Sequence, residues 1–170
     1  MNNISRIAVF TVLVSIFGLS GAYAQGSLGK GNKQFNAGVG FSTWGVPIYA
    51  GLDFGVHQDI TVGPVASFRT YSQNIASVNY SHSIFVIGFN GNYHFNTLID
   101  LDPEWDLYAG LTLGYWIWSS PANYPGGLGS GIGLDGQIGA RYFFSDKFGM
   151  NLELGGGIAS GGKLGVTLKL

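Results

Sequence analysis

Cysteine is absent from the chain, which excludes disulfides and thiolate metal sites. Charge is scarce: Asp, Glu, Lys and Arg make up 10% of residues, against roughly 25% in an average soluble domain. With a formal net charge of −1 there is no global pull toward nucleic acid. Long apolar runs are missing too, because past the N-terminal segment nothing approaches the roughly 20 apolar residues that a spanning helix needs. What the 170 residues do hold is glycine, 29 of them, and an aromatic content of 15%. The length suits one domain. A chain this apolar and this poor in charge, without a spanning helix, satisfies its backbone in lipid only by closing into a β-barrel.

The stretch Ile132 to Ile158 shows the pattern most clearly. Alternate positions put Ile132, Leu134, Gly136, Ile138, Ala140, Tyr142 and Phe144 on one face, and Gly133, Asp135, Gln137, Gly139, Arg141 and Phe143 on the other. After a Ser145-Asp146-Lys147 turn, Phe148, Met150, Leu152, Leu154 and Ile158 alternate with Gly149, Asn151, Glu153, Gly155 and Gly157. A period of two is that of a strand. Every charge of both arms falls on the glycine-rich face, so one face suits lipid and the other an enclosed polar interior.

Met1 to Ala24 reads as a secretory signal peptide. Arg6 precedes an apolar core of about 13 residues, and Ser20-Gly21-Ala22-Tyr23-Ala24 offers small residues for cleavage before Gln25. A retained anchor is the alternative, disfavoured because the core is short for spanning. Gln25 to Lys33, with its glycines and serine, is predicted to be a flexible lead-in.

From Gln34 the alternation defines eight strands: 34–43, 46–56, 60–71, 80–95, 105–118, 132–144, 148–158 and 163–170. Pro64 interrupts the third, where a bulge or local irregularity is expected. With both termini periplasmic, the outer connections are Trp44-Gly45, Ser72 to Asn79, Ser119 to Gly131 and Ser160 to Gly162. The aromatics then form two bands: Phe35, Phe54, Phe95, Trp105, Tyr142, Phe144 and Phe148 near the periplasmic rim, and Phe41, Trp44, Tyr80 and Tyr115 near the outer one. Such girdles mark membrane interfaces. The predicted fold is therefore an all-β, eight-stranded antiparallel up-and-down transmembrane β-barrel over residues 34–170. A soluble lipocalin-like carrier of an apolar ligand would invert the faces. Its solvated wall would then be made of Gly, Ser, Thr and Asn with too few charges.

At this point the chain resembles the small eight-stranded outer-membrane barrels of OmpA/OmpX type found in Gram-negative bacteria. The resemblance rests on the leader, on Ala140-Arg141-Tyr142-Phe143-Phe144-Ser145-Asp146-Lys147-Phe148-Gly149, and on Gly165-Val166-Thr167-Leu168-Lys169-Leu170. It implies a protein of the cell outer membrane, surrounded by lipid and lipopolysaccharide and delivered to the barrel-assembly machinery through its last strand, usually with an aromatic final residue where this chain has Leu170. A monomer without cofactor, and without a peptidoglycan-binding domain after the barrel, is expected.

Candidate chemistry lies on the inner face. Asp53, Arg69, Asp135, Arg141, Glu153 and Lys169 are predicted to pair across the lumen, since isolated charges there are costly. A gate or proton path is the functional alternative to a structural network, but eight strands leave no continuous aqueous channel. Asp106 is assigned to a solvated rim. His82 and His94 fall near opposite rims, too far apart for a shared metal, and no metal site is expected. A lipid-modifying enzyme would need a serine beside a histidine on the lipid-facing wall, whereas Ser81 and Ser83 face away from His82. The match of Gly131, Gly133 and Gly136 to the dinucleotide fingerprint fails because no helix follows, and Asn79-Tyr80-Ser81 is a chance sequon. Trp116, Trp118 and Tyr124 are the candidate loop contacts, either an exposed aromatic surface or residues of the headgroup layer. The function expected is a structural or surface-interaction role for a filled, non-porin barrel.

Overall fold

The computed structural model describes residues 27–127, 129–157 and 160–170. The leader over 1–24, the first two residues of the 25–33 segment and Ile158 lie outside the described residues. Eight strands are present: β1 (Lys33–Ser42), β2 (Ile48–His57), β3 (Ile60–Ile75), β4 (Val78–His94), β5 (Trp105–Ser119), β6 (Gly131–Phe143), β7 (Phe148–Gly156) and β8 (Gly161–Lys169). One helical turn, α1 (Asn96–Ile99), stands between β4 and β5. Each strand pairs antiparallel with the next, and β8 returns to β1, closing the barrel.

The period-two pattern sorts as lipid and lumen require. Val39, Phe41, Ile87, Phe89, Leu111, Leu113, Ile138, Leu152 and Leu164 project outward and exposed, while Gln34, Asn36, Asp53, Thr61, Asn92, Gln137, Asn151 and Thr167 are buried inside. A soluble fold would bury the first set and expose the second; this wall is built for hydrocarbon. Trp105, Tyr142, Phe144 and Phe148 touch in sequence around the periplasmic rim, with ring centroids 5.0, 5.2 and 6.3 Å apart.

One expectation holds and two change. Pairing of β2 with β3 lapses at Leu52 and Asp53, opposite Pro64 and Gly63, the local irregularity expected there, and resumes at Phe54↔Val62 in the same register, while the register shift lies between Gly55 and His57. Pro64 projects outward, where its ring is a lipid-facing group. The segment 72–79 is no loop but a continuation of the β3–β4 ladder, through Ser72↔Ser81 and Asn74↔Asn79 to Ile75↔Val78. Its turn is Ala76-Ser77, both at positive φ (49° and 67°). β2 reaches β3 as far as Phe68, and β5 reaches β4 as far as Ser83, so the tip of this hairpin stands above its neighbours. Finally, the lead-in is packed where it is described: Gly31 N donates to Gly55 O (2.8 Å), Gly55 N donates to Asn32 O (3.0 Å), and Leu28 is only 2% exposed.

Candidate functional site

The periplasmic half of the lumen is filled by one polar network centred on Arg141. Its Nη1 donates to Asp106 Oδ2 and its Nη2 to Asp53 Oδ2, both at 2.9 Å. Asp106 Oδ1 lies 2.6 Å from His94 Nδ1, and His94 Nε2 lies 2.9 Å from Thr61 Oγ1. A carboxylate only accepts, so His94 Nδ1 donates to Asp106. Asp53 also receives Gln34 Nε2 (2.9 Å), Asn36 Nδ2 (3.0 Å) and Asn90 Nδ2 (3.3 Å). Thr167, Asn151 and Tyr49 extend the chain of bonds to β8, β7 and back to β2. Every strand thus contributes to a belt that fixes the register around the ring.

Lys163 Nζ meets Glu153 Oε1 at 2.5 Å, and Tyr108 Oη donates to Glu153 Oε2 at 3.2 Å. The Arg141 guanidinium lies 4.2 Å from the centre of the Tyr108 ring. Tyr108 itself lies flat against Gly139, its cross-strand partner, where any Cβ would overlap the ring. A glycine opposite an aromatic is a recurrent sheet device. Above the belt is a cavity of about 90 Å³, bordered by Arg69, Asp135 and Trp116 among others, with room for about three waters.

The predicted network is corrected in two members. Asp106 is not at a solvated rim; it is fully buried between His94 and Arg141. Lys163, left out of the predicted set, faces the lumen and pairs with Glu153. Pairing across the lumen is realised by Arg141 with Asp53, whereas Asp106↔Arg141 and Glu153↔Lys163 are direct neighbours on adjacent strands. Arg69 donates to Ser42 Oγ (2.9 Å) and lies 5.0 Å from the Trp116 ring centre. Lys169 sits 3.9 Å from the centre of the Phe143 ring.

Aromatics that had been assigned elsewhere fold over the β3–β6 side of the outer mouth. Trp116 is 2% exposed and faces the lumen. Trp44 packs edge-on against Tyr71 (5.4 Å) and Trp118 (5.1 Å), the turn held by Gly45 at φ +91°. Tyr124 bends from the β5–β6 loop onto His82 (4.6 Å) and Tyr80 (5.4 Å), with its hydroxyl donating to Gln73 Oε1 at 3.1 Å. Trp116, Trp118 and Tyr124 are therefore plug rather than exposed contact surface, and Tyr80 and Trp44 turn inward rather than joining a lipid girdle. His82 does find a serine, but from the loop: Nδ1 lies 2.8 Å from Ser120 Oγ. Among the described residues the other ring nitrogen is buried without a hydrogen-bond partner, so no described carboxylate orients this pair. The dyad also faces the plugged mouth, away from the lipid wall.

Charges obey a simple partition. Asp53, Asp106, Asp135, Glu153, Arg69, Arg141, Lys163 and Lys169 lie on the inner face; Lys30, Lys33, Lys147, Asp59, Asp100, Asp102, Glu104 and Asp146 lie at the periplasmic end. The outer segments 42–47, 70–83, 117–134 and 154–162 carry no Asp, Glu, Lys or Arg.

Solved structures share this architecture. The outer membrane protein OprG of Pseudomonas aeruginosa matches with a TM-score of 0.67 at 11% identity, over 86% of this chain and 99% of that one. The N-terminal β-barrel domain of Pseudomonas aeruginosa OprF matches at 0.64 and 15%, over 84% and 99%. Ail of Yersinia pestis, solved in complex with the heparin analogue sucrose octasulfate, matches at 0.57 and 11%, over 83% and 99%. The chain has the fold of a small outer-membrane β-barrel. No protein-family model and no curated protein sequence matches it.

Proposed function

We propose that this chain is an integral outer-membrane barrel whose lumen is a structural seal and whose contacts are made by its outer loops, chiefly the β3–β4 hairpin tip. The observation that carries this reading is the Arg141 belt, which links all eight strands through buried, mutually bonded side chains across the lumen. Lipid and lipopolysaccharide are its surroundings, β8 is the segment offered to the assembly machinery, and it acts as a monomer. Catalysis is not part of this reading. The charge-free outer end sets the kind of partner: an uncharged surface read by amides, hydroxyls and apolar side chains such as Asn74, Ile75 and Val78, rather than a polyanion of the sort Ail was solved with.

The test joins three readouts on the refolded barrel. An unboiled sample shifts on an SDS gel, planar bilayers show no stable channel, and the protein passes through immobilised heparin at low salt. Stable conductance would overturn the sealed lumen, and salt-sensitive heparin retention would overturn the neutral partner.

A further inference from the structure

The barrel's periplasmic rim is electrically lopsided. In the closed ring the β8/β1 seam lies opposite the β4/β5 seam. Lys30, Lys33 and Lys147 belong to the first side, and Asp59, Asp100, Asp102 and Glu104 to the other. Among the described residues these three lysines make no ion pair. Lys33 and Lys147 border a cavity of about 300 Å³ whose wall also includes Leu28, Asn32, Asp146 and Lys169, with Lys30 on the same side but outside the lining. Asp146 is the carboxylate side chain on its wall, so lysine is in excess there.

Directly above, on the lipid side, Leu168 stands between Phe35 and Phe148, its cross-strand partners on either side. All three are exposed. Aromatic side chains at this level mark the interface, and cations just beyond them stand at the depth of lipid phosphates. We propose that this sector holds an anionic phospholipid of the periplasmic leaflet, its phosphate between Lys33 and Lys147 and its acyl chains along Phe35, Leu168 and Phe148. The acidic sector repels the same headgroup, so the lipid is held on one side of the barrel. This rests on the outer-membrane reading with periplasmic termini.

The experiment uses the full chain in nanodiscs of mixed phosphatidylcholine and phosphatidylglycerol, with native mass spectrometry counting the lipid retained as detergent is exchanged in. Phosphatidylglycerol is expected to be retained preferentially. The preference should fall about fivefold for each lysine removed in K33Q and K33Q/K147Q, and persist in D100N/D102N. Added inorganic phosphate should not displace it. Equal retention of the two lipids, or an unchanged preference in K33Q/K147Q, would overturn the site; displacement by inorganic phosphate would show a free-anion site and overturn the lipid assignment. A heat-shift gel on each variant reports folding separately, so loss of preference in a folded K33Q/K147Q barrel supports the site, whereas equal retention of the two lipids by a folded native barrel overturns the site and leaves the barrel reading standing.

Discussion

Arg141 is worth more than any other single side chain in the lumen, because two buried carboxylates depend on it. Its two terminal nitrogens each satisfy a different acid, a fork that one ammonium cannot reproduce. Removing it leaves Asp53 and Asp106 charged and buried without their cation. Arg141→Ala is therefore expected to cost about 3–5 kcal/mol, and Arg141→Lys to recover only part of it, read from urea unfolding in detergent micelles. Asp146→Asn on the exposed turn is the contrast and should stay within about 0.5 kcal/mol of the native chain. If Arg141→Ala unfolds like the Asp146 variant, the belt is not what holds the lumen.

At the scale of the element, the β3–β4 hairpin stands out. Two-residue hairpin turns favour Asn-Gly because both central residues need positive φ, yet here Ala76 and Ser77 occupy them. An L side chain in that region costs roughly 1–2 kcal/mol, and glycine gives back roughly 0.5–1 kcal/mol through its greater unfolded freedom. Ser77→Gly should thus steady the tip by about 0.5 kcal/mol or more. Because the tip lies above its neighbouring strands, the change belongs to local opening and is best read as slower hydrogen exchange of the amides from Gln73 to Tyr80. Unaltered or faster exchange would contradict the turn geometry.

For the molecule as a whole, the decisive property is which solvent each face meets. Leu113 sits at the middle of β5 on the outward face, so Leu113→Arg should lower folding stability in lipid by about 2–4 kcal/mol, as expected at a bilayer midplane. Lys33→Gln at the rim should change it little. Measured by unfolding from liposomes, equal costs at the two sites would argue that the belt of exposed apolar residues is not in hydrocarbon. The charge partition points the same way: with the outer end uncharged, electrostatic contacts of the intact protein are confined to its periplasmic rim.

Alternation along the chain was enough to determine the strand number, the order of the faces and the membrane, because a side-chain period of two is a local property of extended backbone and needs no partner to be read. It also placed Asp53, Arg69, Asp135, Arg141, Glu153 and Lys169 on the inner face. One further step of the same parity on β8 would have added Lys163. What alternation cannot carry is depth and reach. Asp106 looked like a rim residue until register set it beside Arg141 and under His94, and Trp116, at the end of the fifth strand, looked like an exposed contact until the taller β3–β6 side enclosed it. The partners of Leu28, His82 and Tyr124 lie on segments far away in sequence, and only closure of the ring brings them together. The sequence by itself decided which face each residue takes; the tertiary structure decided who meets whom, since that depends on shear, strand height and the folding of loops over the two mouths.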